Sequence, residues 1–183
     1  MRGMTQTPHD VITFWRDAGP KAWFAKSETF DASIRTNFEP LHHAAARNEL
    51  NTWEDSAEGA LTLLLLLDQF PRNMYRGSAH AFATDPLARR IADRAIAHGF
   101  DQVVDKDLRI FFYLPFEHGE ASADQVRSVA LIESIGDAEL VKWAKIHADI
   151  IDRFGRYPHR NACLGRDSTD AERDFLAGNG FKG

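Results

Sequence analysis

Apolar positions are densest in Leu61–Gly77, LTLLLLLDQFPRNMYRG, where five leucines run unbroken from Leu63 to Leu67. A segment with no polar face belongs inside a protein. This one is far shorter than the roughly 20 apolar residues that a membrane span needs. It predicts a buried central helix, capped by Ser56 and ended where Pro71 withdraws a donor and pushes Phe70 out of helical geometry.

Helical spacing organises the rest. Thr7-Pro8 caps and opens a helix through Val11, Ile12, Phe14 and Trp15 that stops near Gly19. Trp23 and Phe24 fall in a connector and are expected to pack inward. Phe30, Ile34, Phe38 and Leu41 form the apolar stripe of a helix from about Glu28 to Asn48, with Pro40 as a kink and His42-His43 as a surface pair. Residues 72–83 read as a loop, and Thr84-Asp85-Pro86 starts a helix that turns Leu87, Ile91 and Ile96 inward and stops at Gly99. Asp105 begins the next, LRIFFYLPFEHGE, apolar on nearly every side until Pro115. Ser122 with Gln125 reads as a capping box for a helix to Gly136, and Asp137 caps a long one through Leu140, Trp143, Ile146, Ile150 and Phe154. Thr169 with Glu172 is a second capping box, opening a last helix with Phe175 and Leu176 inside. No segment alternates as a strand does. The expectation is a single all-α domain over residues 1–183, with about eight helices around the buried central one.

Composition narrows the classes. Hydrophobic residues make up 44% and charged residues 27%, the balance of a globular domain. A net charge of −5 argues against a general nucleic-acid or anionic-membrane binder. The N-terminal MRGMTQTPHD has no apolar core of a signal peptide, and the single cysteine, Cys163, cannot pair within the chain. A cytoplasmic location follows as the expectation.

Three stretches share one design: LDQFPRN from Leu67, FYLPFEH from Phe112 and FGRYPHRN from Phe154. In each, an apolar helix stops near proline and hands over to polar or ionisable residues. Singly, each can be explained by local capping and by cations at helix C-termini, and Asp68 with Arg72 by an intrahelical pair. Jointly, Asp68, Arg72, Asn73, Arg76, Glu117, Arg156, Arg160, Asn161 and Arg166 form a set whose burial beside a core demands either a paired network or a pocket. The arginine surplus within these motifs favours an anionic guest, because guanidiniums bind carboxylate or phosphate bidentately. His118 and His159 are the candidates for proton transfer, with Glu117 or Asp68 to orient them. The three turns are expected to converge on one site. No phosphate loop, HExxH or GxSxG is present, so neither a cofactor nor a metal is expected.

The motifs VITFW, LDQFPRNMYRG with AFATDPLA, FFYLPFEHGE with ADQV, FGRYPHRNACLGRDST and ERDFLAGNGF span nearly the whole chain. In that order they closely resemble the domain-of-unknown-function 924 proteins, found mainly in bacteria. Gly119, where many members carry serine, and Tyr157, where phenylalanine is usual, are mild departures. The resemblance implies an all-α fold similar to the tetratricopeptide-like right-handed superhelix, beside the plainer alternative of an irregular helical bundle. It implies no reaction. The leading expectation is an arginine- and histidine-rich pocket for an anionic small molecule or a peptide carboxylate. The alternatives are a protein–protein interaction scaffold and a His-dependent hydrolase or transferase.

Overall fold

The computed structural model describes residues 6–178, 180 and 181 of the chain. It is all-α, with no strand among the described residues and eight α-helices of seven residues or more. The α-helices are α1 (Pro8–Ala18), α2 (Pro20–Trp23), α3 (Glu28–Ala46), α4 (Ala57–Leu64), α5 (Phe70–Met74) and α6 (Asp85–Ala97). They continue as α7 (Phe100–Val103), α8 (Ile110–Glu117), α9 (Ser122–Glu133), α10 (Ala138–Phe154) and α11 (Asp170–Ala177). None is long and apolar enough to cross a membrane. The chain forms two compact units, one of Met1–Arg76 with His80–Pro115 and one of Gly77–Ala79 with Phe116–Gly183.

In unit 1 the leucine run lies inside as its composition demands, with Leu64, Leu65, Leu66 and Leu67 all at 0% exposure. Trp15 stacks on Trp23 and Phe30 and meets Phe70 and Phe111, which joins α1, α2, α3, α5 and α8 through aromatic contacts. Trp23 is buried, and its indole N–H donates to the Trp15 carbonyl at 2.6 Å. Phe24 departs from expectation at 57% exposure: α2 ends at Trp23 and the chain carries the next side chain outward. His42 departs the other way. It is fully buried, because α3 runs on through Pro40 to Ala46 and turns this position inward with Leu41 and Ala45.

The central helix does not stop at Pro71. It widens into a π turn over Leu65–Gln69 and resumes as α5 with Pro71 in its first turn. The Phe70 N–H bonds the Leu65 carbonyl, five residues back. This is how a proline is accommodated: the wider turn makes room for a ring that would clash in a regular helix. Helix therefore occupies Arg72–Met74 of the expected loop, and a 3-10 turn occupies Ala79–Phe82.

Unit 2 packs Ile150, Ile151 and Tyr157 against Ile146, Phe154, Phe175 and Phe181. Asp137 caps α10 as its sequence indicates, accepting from the backbone of Glu139 and Leu140. Thr169 and Glu172 make the expected capping box of α11. Ser122 and Gln125 do not make one: α9 starts after Ala121 without a side-chain cap. Gln125 instead turns inward, where its amide meets carbonyls at the end of α8.

Candidate functional site

The first polar turn follows directly from the π turn and the proline. In a regular helix Leu66 O would accept from Phe70 N–H, which here serves Leu65, and Leu67 O would accept from residue 71, which has no N–H. Buried carbonyls need replacement donors. His42 Nδ1 lies 2.8 Å from Leu66 O, and Thr84 Oγ1 donates to Leu67 O at 2.5 Å. Thr84 is therefore spent on the central helix and does not cap α6 with its side chain. Arg72 donates to Asp68 O at 2.7 Å.

That guanidinium also holds Asp85 with both prongs, each at 2.9 Å, and reaches Asp68 Oδ1 at 3.2 Å. Arg76 grips Asp31 at 2.5 and 3.1 Å, and Asn73 donates to the same carboxylate at 2.8 Å. The four expected residues Asp68, Arg72, Asn73 and Arg76 thus tie α5 to α3 and α6. Asp31 and Asp85 were not among the candidates because they lie outside the motif.

The second and third turns come together in unit 2 around Tyr157. Its hydroxyl donates to Glu117 O at 2.5 Å and accepts from Gln125 Nε2 at 3.0 Å. The Glu117 carboxylate lies 3.4 Å from His147 Nδ1, which itself lies 2.8 Å from Trp143 O. Arg160, only 6% exposed, sits over the Tyr157 ring at 4.5 Å. His147 and His159 approach that ring at 5.7 and 5.6 Å between centroids, and both meet Phe181 edge-on. His118 is half-buried just after α8. Burial raises the Tyr157 phenol well above its ordinary value, so it stays protonated.

Around this core the remaining arginines are engaged. Arg156 holds Glu172 bidentately at 2.6 and 2.9 Å, and Asn161 donates to the same carboxylate at 3.3 Å. Arg166 holds Glu120 at 2.8 and 3.0 Å and donates to Asn161 Oδ1 at 3.0 Å. The hydrogen bonds from Arg156, helped by the Thr169 N–H, outweigh burial and hold the Glu172 carboxyl down at about 2. Burial raises Glu120, but Arg166 and the Tyr157 N–H overcome it and leave that carboxyl below its usual range. The expected arginine surplus is therefore balanced by Asp31, Asp85, Glu120 and Glu172. Cys163 is half-buried, its thiol on the Arg160 carbonyl at 3.2 Å. A shallow groove between α9 and α10, lined by Val126, Val129, Lys145 and Asp152 among others, takes in none of the candidate residues.

Sequence reasoning passed over His80, Gln125 and His147. Helical spacing places His147 three residues after Ala144 and three before Ile150, on the inward stripe of α10, and this was the available signal; Trp143, expected on that stripe, is instead exposed at 42%. His80 carries no local signal.

Residues 11–180 match the family described as bacterial protein of unknown function, DUF924. A solved structure, that of the protein of unknown function ATU0120 from Agrobacterium tumefaciens, is 50% identical and superposes with a TM-score of 0.90. The match covers 92% of this chain and 96% of that one. No curated protein matches. With the helical order, the motifs and the matched span in agreement, this chain belongs to the DUF924 family.

Proposed function

We propose that the protein binds a small carboxylate- or phosphate-bearing ligand at the Tyr157 cluster of unit 2, through Arg160, His159 and His118. The reading is narrower than the sequence alone invites, because Arg72, Arg76, Arg156 and Arg166 each hold a carboxylate by two prongs. What supports it is the crowding of ionisable groups on one phenol: the Arg160 guanidinium over its face and the His147 and His159 imidazoles beside it, with the Glu117 carboxylate 3.4 Å from His147. Apolar side chains of similar volume would hold these helix ends together as well or better. A guanidinium laid on an aromatic face is also fixed in plane. If the site is catalytic, His118 and His159 are the proton carriers, in a hydrolase or transferase.

The test compares thermal melts of wild type and Arg160→Ala in sodium sulfate and in sodium chloride at matched ionic strength. Sulfate at ten times its dissociation constant adds about 1.4 kcal/mol, which raises the melting point of a chain this size by about 3–6 °C. Sulfate also stabilises proteins generally by exclusion from their surface, so the wild-type-minus-variant difference is the quantity read. The expected result is a sulfate-specific rise several degrees larger in the wild type. Equal rises in both proteins would refute the assignment.

A further inference from the structure

Three histidines of unit 1 come together from two stretches that share no motif: His42 and His43 late in α3, and His80 in the 3-10 turn Ala79–Phe82. One ring nitrogen of each lies within 4.8 Å of one ring nitrogen of each of the others. The ring centroids are 5.1 Å apart for His42–His43, 5.6 Å for His42–His80 and 5.8 Å for His43–His80.

His42 sets the chemistry. A carbonyl only accepts, so the 2.8 Å contact with Leu66 O assigns the proton to His42 Nδ1. In the neutral ring Nε2 then carries the lone pair. That Nε2 is buried and has no hydrogen-bond partner, in a residue with 0% exposure. That lone pair is held on a fixed ring whose other nitrogen is locked to a backbone carbonyl. Metal-bound histidines are fixed in this way, with the non-ligating N–H held by a carbonyl or carboxylate.

We propose that His42, His43 and His80 hold one divalent transition-metal ion of the zinc class, with its fourth position open to water or a ligand. Three imidazoles are a donor set for zinc, copper, nickel or iron rather than for magnesium or calcium. Ligand nitrogens about 2.0–2.1 Å from a tetrahedral ion stand about 3.3 Å apart. Binding one ion would require the half-buried His43 and His80 rings to rotate until that gap closes, while His42 stays fixed. The surroundings fit a cation. Tyr75 stacks on His80 at 3.9 Å and 7°, its hydroxyl donates to Glu39 Oε1 at 2.9 Å, and the hydroxyl oxygen of Tyr75 stands 3.4 Å from His43 Nε2. The Glu39 carboxylate thus brings negative charge to the edge of the cluster, and Tyr75, bonded to it, contacts both half-buried histidines. π turns recur at functional sites, and here the π turn supplies the carbonyl that orients His42. The site lies within unit 1 and is independent of the anion reading for unit 2.

The full chain, stripped with a chelator, is titrated with zinc against a chromophoric competitor, and separately with cobalt followed by visible absorption. Wild type should take up one equivalent, and its cobalt form should show the strong visible bands of four-coordinate cobalt. His43→Ala and His80→Ala should each weaken zinc by at least about 100-fold, more than the loss of a merely orienting group. His98→Ala, an exposed histidine elsewhere in the unit, should leave affinity unchanged. His42 is left intact because its removal would strand the Leu66 carbonyl. The proposal is overturned if uptake is not stoichiometric, if the His43→Ala/His80→Ala double variant binds as wild type does, or if cobalt gives only the faint six-coordinate spectrum. The wild-type cobalt spectrum decides even where a variant fails to fold.

Discussion

Replacing Glu172 with glutamine isolates one ion pair from its surroundings. Glu172 is 2% exposed and accepts from Arg156 at 2.6 and 2.9 Å, from Asn161 at 3.3 Å and from the Thr169 N–H at 2.8 Å. Its carboxyl titrates at about 2 in the fold, against 4.5 ordinarily, chiefly because Arg156 donates to it. The folded value lies below the unfolded one. The stabilisation is therefore fully present above about pH 4.5 and is lost as pH falls through about 2. A shift of that size is worth roughly 3 kcal/mol, of which roughly 2 is gone by about pH 3. Arg156 is 28% exposed at its side chain, so solvent screening draws the figure toward the lower end. Glutamine keeps the shape and one oxygen for the capping box; it removes the charge and turns the oxygen facing Arg156 Nε into a donor, a loss that does not itself titrate. Urea unfolding followed by circular dichroism should show Glu172→Gln losing about 2–3 kcal/mol at pH 7, and only about 1 kcal/mol near pH 3. A wild-type-minus-variant difference that stays constant across this range would refute the reasoning, because a packing or capping loss has no reason to titrate.

Leu65→Ala should destabilise by about 2–5 kcal/mol in the same assay, since the side chain is at 0% exposure in the middle of the central helix. A loss below about 1 kcal/mol would mean that the leucine run is peripheral. Thr84→Val is isosteric and removes the 2.5 Å donor to Leu67 O, so it should cost about 1–3 kcal/mol, with Thr84→Ser recovering most of it. A neutral Thr84→Val would show that Leu67 O has another adequate partner.

Legibility followed the range of the interactions. Caps written in adjacent residues were readable: Thr7, Ser56, Asp137 and the Thr169/Glu172 box all act as their sequence indicates. So was the central helix, because an all-apolar run admits one environment. What failed needed knowledge of partners far along the chain. Ser122/Gln125 has the spacing of a box, but Gln125 finds three carbonyls and Tyr157 closer to hand in the folded unit. The arginine surplus was inferred by counting acids only within the arginine-rich motifs. A chain with 27 acidic and 22 basic side chains has carboxylates to spare elsewhere, and Asp31, Asp85 and Glu120 are where they went. His42 was read with His43 as a surface pair, although its place beside Leu41 and Ala45 on one face of α3 argued for the interior.

A proline inside a buried helix explains why polar groups gather there, without any ligand. The π turn and Pro71 leave Leu66 O and Leu67 O without their helical partners, and some side chain must donate to each. At Leu67 the demand is met by a threonine hydroxyl, a group that brings little beyond the bond. At Leu66 it is met by an imidazole, and the structural need is satisfied by Nδ1 alone. The second nitrogen, buried and unpartnered, is destabilising in a purely structural role. A side chain that only donates, such as a tryptophan indole, could serve the carbonyl without leaving any lone pair beside two further imidazoles. The residue type at position 42, more than the clustering of polar groups near the core, therefore separates a site from a repair: the carbonyl accounts for one nitrogen, and only a Lewis acid or a donor from outside the chain accounts for the other.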